Sequence, residues 1–190
     1  MVMSVSASPF LTGQFLLAMP GIGDPRFEQA VIAMCAHDAD GALGIGIGAL
    51  VEGLTFHDVL DQFDIPTDGV PAVPVHFGGP VEPRRGFVVH SADWSGQDTV
   101  DVAGRWALSS TVDVLRAIAE GRGPSRWIVA LGYAGWSAGQ LDKEMTRHGW
   151  FNVDGDEALL FDADVNARWL TGFASVGIDP LLLSTSAGSA

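Results

Sequence analysis

The sequence predicts one mixed α/β domain, with strands dominating the first half of the chain and helices interleaved with strands in the second. Three observations lead to this fold class. Short apolar runs separated by turns rich in glycine and proline fill the first half, and apolar residues recur at helical spacing in two later segments. No repeat and no clear linker divides the 190 residues. We therefore expect a single domain over residues 1–190, with flexible ends at residues 1–9 and 184–190.

Three strands are expected before residue 51, at residues 13–19, 29–36 and 42–50. A loop dense in turn formers follows the first strand, and a turn at residues 37–41 separates the second from the third. The third alternates aliphatic residues with glycines: Leu43, Ile45 and Ile47 on one face, Gly44, Gly46 and Gly48 on the other. A face made only of glycine predicts that another backbone or an aromatic ring packs closely there.

The middle of the chain is predicted to hold a short helix and two short strands. Thr55 and Asp58 have the spacing of a capping box, which predicts a helix from there to about residue 63. A proline-rich loop at residues 64–74 precedes strands at residues 75–77 and 86–91. The polar connection between those strands contains Arg84 and Arg85, the only adjacent basic pair in the chain.

Helices and strands alternate in the second half. A polar loop at residues 93–101 precedes a helix that Ser109 or Ser110 caps and that runs to about residue 120. Strands are expected at residues 127–131 and 149–153. The last helix is predicted after a cap at Asp162 or Asp164, and its apolar stripe has four members: Val165, Trp169, Phe173 and Val176.

The segment at residues 131–145 predicts a strand, a tight glycine turn and a helix start. Ser137 and Gln140 have capping-box spacing, and the free N–H groups of a helix start attract anions. Gly132, Gly135 and Gly139 surround two aromatic residues here. The alternative interpretation is structural: the glycines only let the backbone turn and pack closely, and the aromatic residues belong to the core.

Composition argues against several classes of function. The chain has 23 acidic and 10 basic residues, a formal net charge of −13, which disfavours both nucleic acid and anionic membranes as partners. No apolar run reaches the roughly 18–20 residues that span a bilayer. One cysteine rules out an internal disulfide, and the first ten residues contain no basic residue of the kind that starts a secretory signal. A cytoplasmic location is expected.

The sequence contains little evidence for metal binding or catalysis. His76 and His90 fall on strands predicted to be neighbours, and Cys35 and His37 lie two residues apart, but neither pair has the spacing of a zinc site. Cys35 sits in a buried-looking strand, where the pKa of a thiol rises rather than falls. No Gly-x-Ser-x-Gly motif is present. We therefore predict no catalytic residue, no metal site and no cofactor.

Several motifs in order make the sequence resemble the YqgE/AlgH family, also called UPF0301 or DUF179. They are FLLAMP at residues 15–20, DPRF at 24–27, DGALG at 40–44, GGPV at 78–81, LGYAGW at 131–136, AGQL at 138–141 and LFD at 160–162. The similarity covers residues 10–179, taken as the core of the domain. It implies an α+β fold in which a bent, mostly antiparallel sheet forms a pseudo-barrel flanked by about four helices. Members are often described as transcriptional regulators, but the resemblance implies no particular activity.

Three glycine-containing turns are predicted to converge into a ligand cleft at one end of the sheet. The candidate cleft residues are Asp24, Arg26, Phe27, Gly78, Gly79, Pro80, Gly132, Tyr133, Gly135, Trp136, Gly139 and Gln140. The first functional interpretation is a non-enzymatic binding or regulatory module that acts through a protein partner or a small ligand. An enzyme or ligand sensor using this cleft is the second, and a repressor that binds DNA directly is the third.

Overall fold

A computed structural model describes residues 10–147 and 149–183. The predicted flexible ends at residues 1–9 and 184–190 lie outside this range. The strands are β1 Gln14–Ala18, β2 Val31–Asp38, β3 Gly41–Gly46, β4 Leu50–Thr55, β5 Pro74–Phe77, β6 Val81–His90, β7 Val100–Val102, β8 Trp106–Ser109, β9 Trp127–Ser137 and β10 Trp150–Asp154. The α-helices are α1 Phe56–Asp61, α2 Val112–Ala119, α3 Gln140–Thr146 and α4 Arg168–Ala174. None of these helices is long and apolar enough to cross a membrane.

The strands form one curled sheet in the order β10-β1-β2-β3-β9-β6-β8-β7, with β5 paired to β9 and β4 paired to β5. All pairs are antiparallel except β5 with β9. The curl brings distant strands together: Phe15 of β1 stacks on Trp106 of β8 at 5.3 Å between ring centroids. The predicted α+β fold, a bent sheet flanked by helices, is confirmed.

The apolar residues divide into three clusters. The main core fills the inside of the curl and includes Phe15, Trp106 and Phe173. A second cluster packs α1 and α2 against the outer face of β6 and β9, and a third packs α3 against β1, β2 and β9. Both faces of the central strands are therefore buried, which explains why they read as nearly continuous apolar runs.

The glycines of β9 do not form the predicted tight turn. β9 is one continuous strand of 11 residues, and it changes face at Gly132. Before this residue, Ile128 and Ala130 lie in the main core; after it, Tyr133 packs against that core, while Ala134 and Trp136 join the third cluster. Side chains alternate strictly between the two faces along a regular strand. The exchange of faces at Gly132 therefore marks a local irregularity in β9.

The irregularity exists because the chain between β5 and β6 crosses β9 at Gly132. A Cβ added to Gly79 would lie 2.1 Å from the carbonyl carbon of Tyr133, and one added to Gly132 would lie 2.2 Å from the carbonyl oxygen of Gly79. Both glycines also have positive φ angles, +151° and +76°. Only glycine permits two backbones to approach this closely, so the structural interpretation of these glycines is correct at this crossing.

The predicted glycine face of β3 is confirmed as a surface of close backbone contact. Leu43, Ile45 and Ile47 belong to the main core or pack against it. A Cβ added to Gly46 on the other face would lie 2.5 Å from the carbonyl oxygen of Phe77.

Several other boundaries differ from the prediction. β3 ends at Gly46, and a separate strand, β4, follows at Leu50–Thr55. The predicted polar connection at Glu82–Arg85 lies within β6 as a bulge opposite Gly132, because its register with β9 shifts between Val81 and Gly86. Residues 100–109 form the β7–β8 hairpin, which was not predicted.

Two helix starts also differ from the prediction. The residue before α2 is Thr111, not Ser109 or Ser110. Asp164 precedes a 3₁₀ turn at Val165–Ala167, and α4 starts only at Arg168. Within the predicted apolar stripe, Trp169 and Phe173 are buried, whereas Val176 is 48% exposed.

Candidate functional site

A cleft of about 450 Å³ lies between the loop after β1, the start of β6 and helix α3, and we call it the α3 cleft. Seven of the twelve predicted cleft residues line it: Asp24, Arg26, Phe27, Pro80, Gly135, Trp136 and Gln140. The predicted loops therefore do meet in space, although β9 reaches the cleft as a strand rather than as a turn.

The other five predicted residues do not line the α3 cleft. Gly78 and Gly79 border a neighbouring hollow of about 50 Å³, which they share with Arg26 and Phe27. Gly132 lies at the backbone crossing, and the Tyr133 ring packs edge-on against Phe87 at 5.8 Å. Gly139 has a left-handed backbone, with a φ angle of 73°, directly before α3.

The carboxylate of Glu144 organises the floor of the α3 cleft. Its Oε1 atom accepts hydrogen bonds from the indole nitrogens of Trp136 at 3.1 Å and Trp150 at 3.0 Å. Its Oε2 atom accepts one from the amide nitrogen of Gln140 at 2.9 Å. The two indoles are nearly perpendicular, with centroids 6.1 Å apart, and Phe27 packs edge-on against Trp150. Three donors on one carboxylate hold both tryptophan side chains in fixed positions.

Sequence reasoning missed Glu144, although a signal was present. Gln140 and Glu144 are four residues apart, a spacing that places two side chains next to each other on a helix. The predicted capping interaction is formed in part: the Gln140 side chain reaches back and accepts a hydrogen bond from the Ser137 backbone N–H at 3.0 Å. The Ser137 hydroxyl donates to the same oxygen atom, and helix α3 begins only at Gln140.

Charged side chains of both signs line the rim of the α3 cleft. Arg26 donates to the carboxylate of Asp24 at 2.7 Å, and these hydrogen bonds lower the pKa of Asp24 below its ordinary value. Arg147 also lines the cleft and is exposed, and its guanidinium has no hydrogen-bond or ion-pair partner among residues 10–147 and 149–183. Arg147 is therefore the one of these two cations that is free to meet an anionic group.

The histidines and the cysteine discussed from the sequence lie elsewhere, and they do not converge. Cys35 is buried, and burial raises the pKa of its thiol to about 12, as predicted for an apolar strand. His76 on β5 and His90 on β6 are not on neighbouring strands, because both strands pair with β9. Among the residues that the structure describes, no group of three or more His, Cys, Asp or Glu side chains is placed to hold a metal ion.

His76 and His90 each have a structural partner. His90 Nδ1 donates to the carbonyl oxygen of Ser91 at 2.8 Å, so its Nε2 atom accepts from the hydroxyl of Ser109, also at 2.8 Å. His76 Nε2 accepts from Arg168 Nη1 at 2.9 Å. Burial lowers the pKa of both histidines, in the case of His76 to about 4. Both rings are therefore neutral at pH 7.

Comparison with known proteins gives one consistent family. The sequence model of DUF179, described as AlgH-like, matches residues 15–181. A UPF0301 protein of Sphingopyxis alaskensis is 59% identical over 97% of this chain and 99% of its own length. A second UPF0301 protein, from Rhizorhabdus wittichii, is 56% identical over 98% of this chain and 100% of its own. The solution structure of the AlgH protein from Pseudomonas aeruginosa matches with a TM-score of 0.78 and 38% identity, covering 100% of both chains.

Proposed function

The chain belongs to the DUF179 family of AlgH-like proteins, and we propose that it is a non-enzymatic binding module that holds a small ligand in the α3 cleft. The observation that carries this proposal is the convergence of three separate chain segments on a concave surface of about 450 Å³ with a fixed aromatic floor. Pockets of this size, with apolar walls and a few oriented polar groups, are the usual form of a small-molecule site.

The lining suggests the chemistry of the ligand. Phe27 and Trp136 offer aromatic surface, and Glu144 already accepts three hydrogen bonds, so its carboxylate is not a strong site for a further donor. At the rim, Arg147 has no side-chain partner within residues 10–147 and 149–183. A planar, partly apolar ring with one anionic substituent fits this lining best, with the ring on the aromatic floor and the anion at Arg147.

Two other interpretations from the sequence are less well supported. A protein partner is disfavoured as the main ligand because the surface is concave and has the volume of a small-molecule pocket. Direct DNA binding is disfavoured by the formal net charge of −13, since affinity for DNA comes largely from neutralising its phosphates. We place this function in the cytoplasm because the one cysteine is a buried free thiol, whereas proteins of oxidising compartments commonly use disulfides.

The test is an NMR titration that follows the indole N–H signals. The chain has six tryptophans, and the variants Trp136→Phe and Trp150→Phe assign the two signals of the cleft floor. The probes are indole-3-acetate, benzoate and a nucleoside monophosphate. We expect at least one probe to shift these two signals in a saturable way.

The matched pair of variants is Arg147→Glu and Arg84→Glu. Both arginines are exposed, but only Arg147 lines the α3 cleft. Arg147→Glu should abolish the shifts, and Arg84→Glu should leave them unchanged. If all three probes leave both indole signals in place, or if Arg147→Glu has no effect on a probe that binds, the proposed function is wrong.

A further inference from the structure

A second cavity, of about 360 Å³, lies between helices α1 and α2 above the outer face of β6 and β9, and we call it the α1–α2 cavity. No residue that lines it also lines the α3 cleft. It arises because both helices pack on the same sheet face and leave space between them.

Aliphatic residues form the floor of the α1–α2 cavity and part of its walls. Val88 and Val129 form the sheet side, Val59 belongs to α1 and Val114 belongs to α2. All four are members of the second apolar cluster and have little contact with solvent. This aliphatic surface favours contact with an apolar part of a ligand over contact with water.

The hydroxyl groups at the α2 end of the cavity already have partners. Ser110 and Thr111 both donate to the carboxylate of Asp98, at 2.6 and 2.8 Å, and Ser109 is hydrogen-bonded to His90. The carboxylate of Asp98 behind these hydroxyls makes this end unsuitable for an anion. A cation elsewhere on the lining is therefore the more favourable partner for an anionic group.

Arg84 supplies a positive charge at the exposed rim of the cavity. Arg84 lines the cavity and is exposed, and its guanidinium has no partner within the described part of the chain. Its neighbour Arg85 is engaged, since it contacts Glu82 at 3.4 Å and lies over the Phe87 ring at 5.0 Å. Phe63 also lines the cavity and is 41% exposed, so aromatic surface is available close to water.

We propose that the α1–α2 cavity binds an amphipathic monocarboxylate, with its alkyl chain on the valine-lined floor and its carboxylate at Arg84. The apolar walls select for the alkyl chain through burial. The arginine selects for a carboxylate over a cationic or uncharged head group, because a guanidinium matches a carboxylate in both charge and geometry.

The test uses decanoate as the probe and decanol as its uncharged counterpart, each titrated into the full chain by isothermal calorimetry below the concentration at which decanoate forms micelles. We expect one saturable decanoate site per chain and weaker binding of decanol. Arg84→Glu replaces a weak attraction by a weak repulsion at a partly solvated site, which corresponds to about a tenfold loss of decanoate affinity. Binding of decanol should change little in this variant.

Two further variants test whether decanoate binds in this cavity rather than on another apolar surface. Gln62 is exposed and lines the cavity, so Gln62→Trp should obstruct it without changing a buried residue and should weaken both probes. Arg147→Glu, in the α3 cleft, should leave both unchanged. NMR should also show contacts between the terminal methyl group of decanoate and the methyl groups of Val129.

Three results would overturn the proposal. They are the absence of saturable decanoate binding, decanoate affinity that neither Arg84→Glu nor Gln62→Trp changes, and methyl contacts to Phe27 or Trp150 in place of Val129. The last result would move the ligand to the α3 cleft.

Discussion

Replacing the buried Arg168 should destabilise the fold more than replacing any exposed arginine. Arg168 is 3% exposed, and its guanidinium donates to the carbonyl oxygens of Ile47 at 2.6 Å, Leu159 at 3.1 Å and Leu160 at 2.9 Å. A fourth hydrogen bond goes to Nε2 of His76. One side chain thus joins the residue after β3, a π-helical turn at Ala158–Asp162, and β5. Arg168→Met fills much of the same volume but removes all four donors.

The size of the effect follows from two opposing contributions. Four acceptors lose their donor, and an unsatisfied buried acceptor costs about 1–2 kcal/mol, so the loss amounts to about 4–8 kcal/mol. Burial lowers the pKa of Arg168 from 12.5 to about 10, and removing a cation that is this unfavourably placed returns about 3 kcal/mol. We expect Arg168→Met to reduce the free energy of unfolding by about 3 kcal/mol, within the range of other broken buried polar networks.

Urea unfolding followed by tryptophan fluorescence measures this difference. Arg168→Lys keeps the charge but not the planar fork, so it should lose about 2 kcal/mol. The control is Arg116→Met on the exposed side of α2, which should stay within about 0.5 kcal/mol of the parent protein. A loss below about 1 kcal/mol for Arg168→Met would show that the four hydrogen bonds contribute little more than the buried charge costs.

Three further perturbations have defined outcomes. Burial and the charge of Arg168 lower the pKa of His76 from 6.5 to about 4, so the unfolded chain binds more protons between these values. The contribution of neutral His76 to the free energy of unfolding should be complete above pH 6.5 and fall by up to about 3 kcal/mol towards pH 4. Urea unfolding at each pH measures this change, which should be missing in His76→Gln. Iodoacetamide should modify Cys35 in the folded protein at pH 8 at least about a hundredfold more slowly than in urea, as mass spectrometry would show; equal rates would contradict its burial. Gly79→Ala should lower the urea midpoint of unfolding much more than Gly69→Ala does, because Gly69 also has a positive φ angle but has open space around it. Equal losses would mean that the crossing tolerates a side chain.

The features that the sequence predicted correctly depend on local interactions. The capping box before α1 is present: the carboxylate of Asp58 accepts a hydrogen bond from the backbone N–H of Thr55 at 2.8 Å. The glycine face of β3 was also recognisable, since it requires only the alternation of side chains along one strand. Both signals are complete within a few neighbouring residues.

The hairpin β7–β8 was missed because its turn lacks the usual residues. Ala103 and Gly104 both have positive φ angles, 53° and 72°, the combination that two-residue hairpins normally obtain with Asn-Gly or Asp-Gly. Alanine at the first of these positions carries no turn signal. The side chain of Asp101, which accepts from the N–H of Gly104 at 2.9 Å, supports the turn instead.

The α3 cleft was predicted only in part because its geometry depends on contacts between distant segments. Gly132, Gly135 and Gly139 suggested a turn, but Gly132 and Gly135 lie within β9, where the chain between β5 and β6 crosses the strand at Gly132. Likewise, Glu144 becomes important only when α3 brings it between Trp136 and Trp150. No pattern within a single segment contains that information.

The crossing at Gly132 also explains how one strand serves two separate cavities. A strictly alternating β9 would place Trp136 on the same face as Ala130, inside the main core, because both positions are even. The change of face at Gly132 sends Trp136 outward to the α3 cleft instead, while Val129, before the crossing, remains on the floor of the α1–α2 cavity. β9 is paired on both sides, with β3, β5 and β6, so the two floors are parts of one rigid element. The close approach of Gly79 and Gly132 is therefore a condition for the α3 cleft but not for the Val129 side of the α1–α2 cavity, and a side chain at either glycine affects the α3 cleft through the direction of β9 rather than through direct contact.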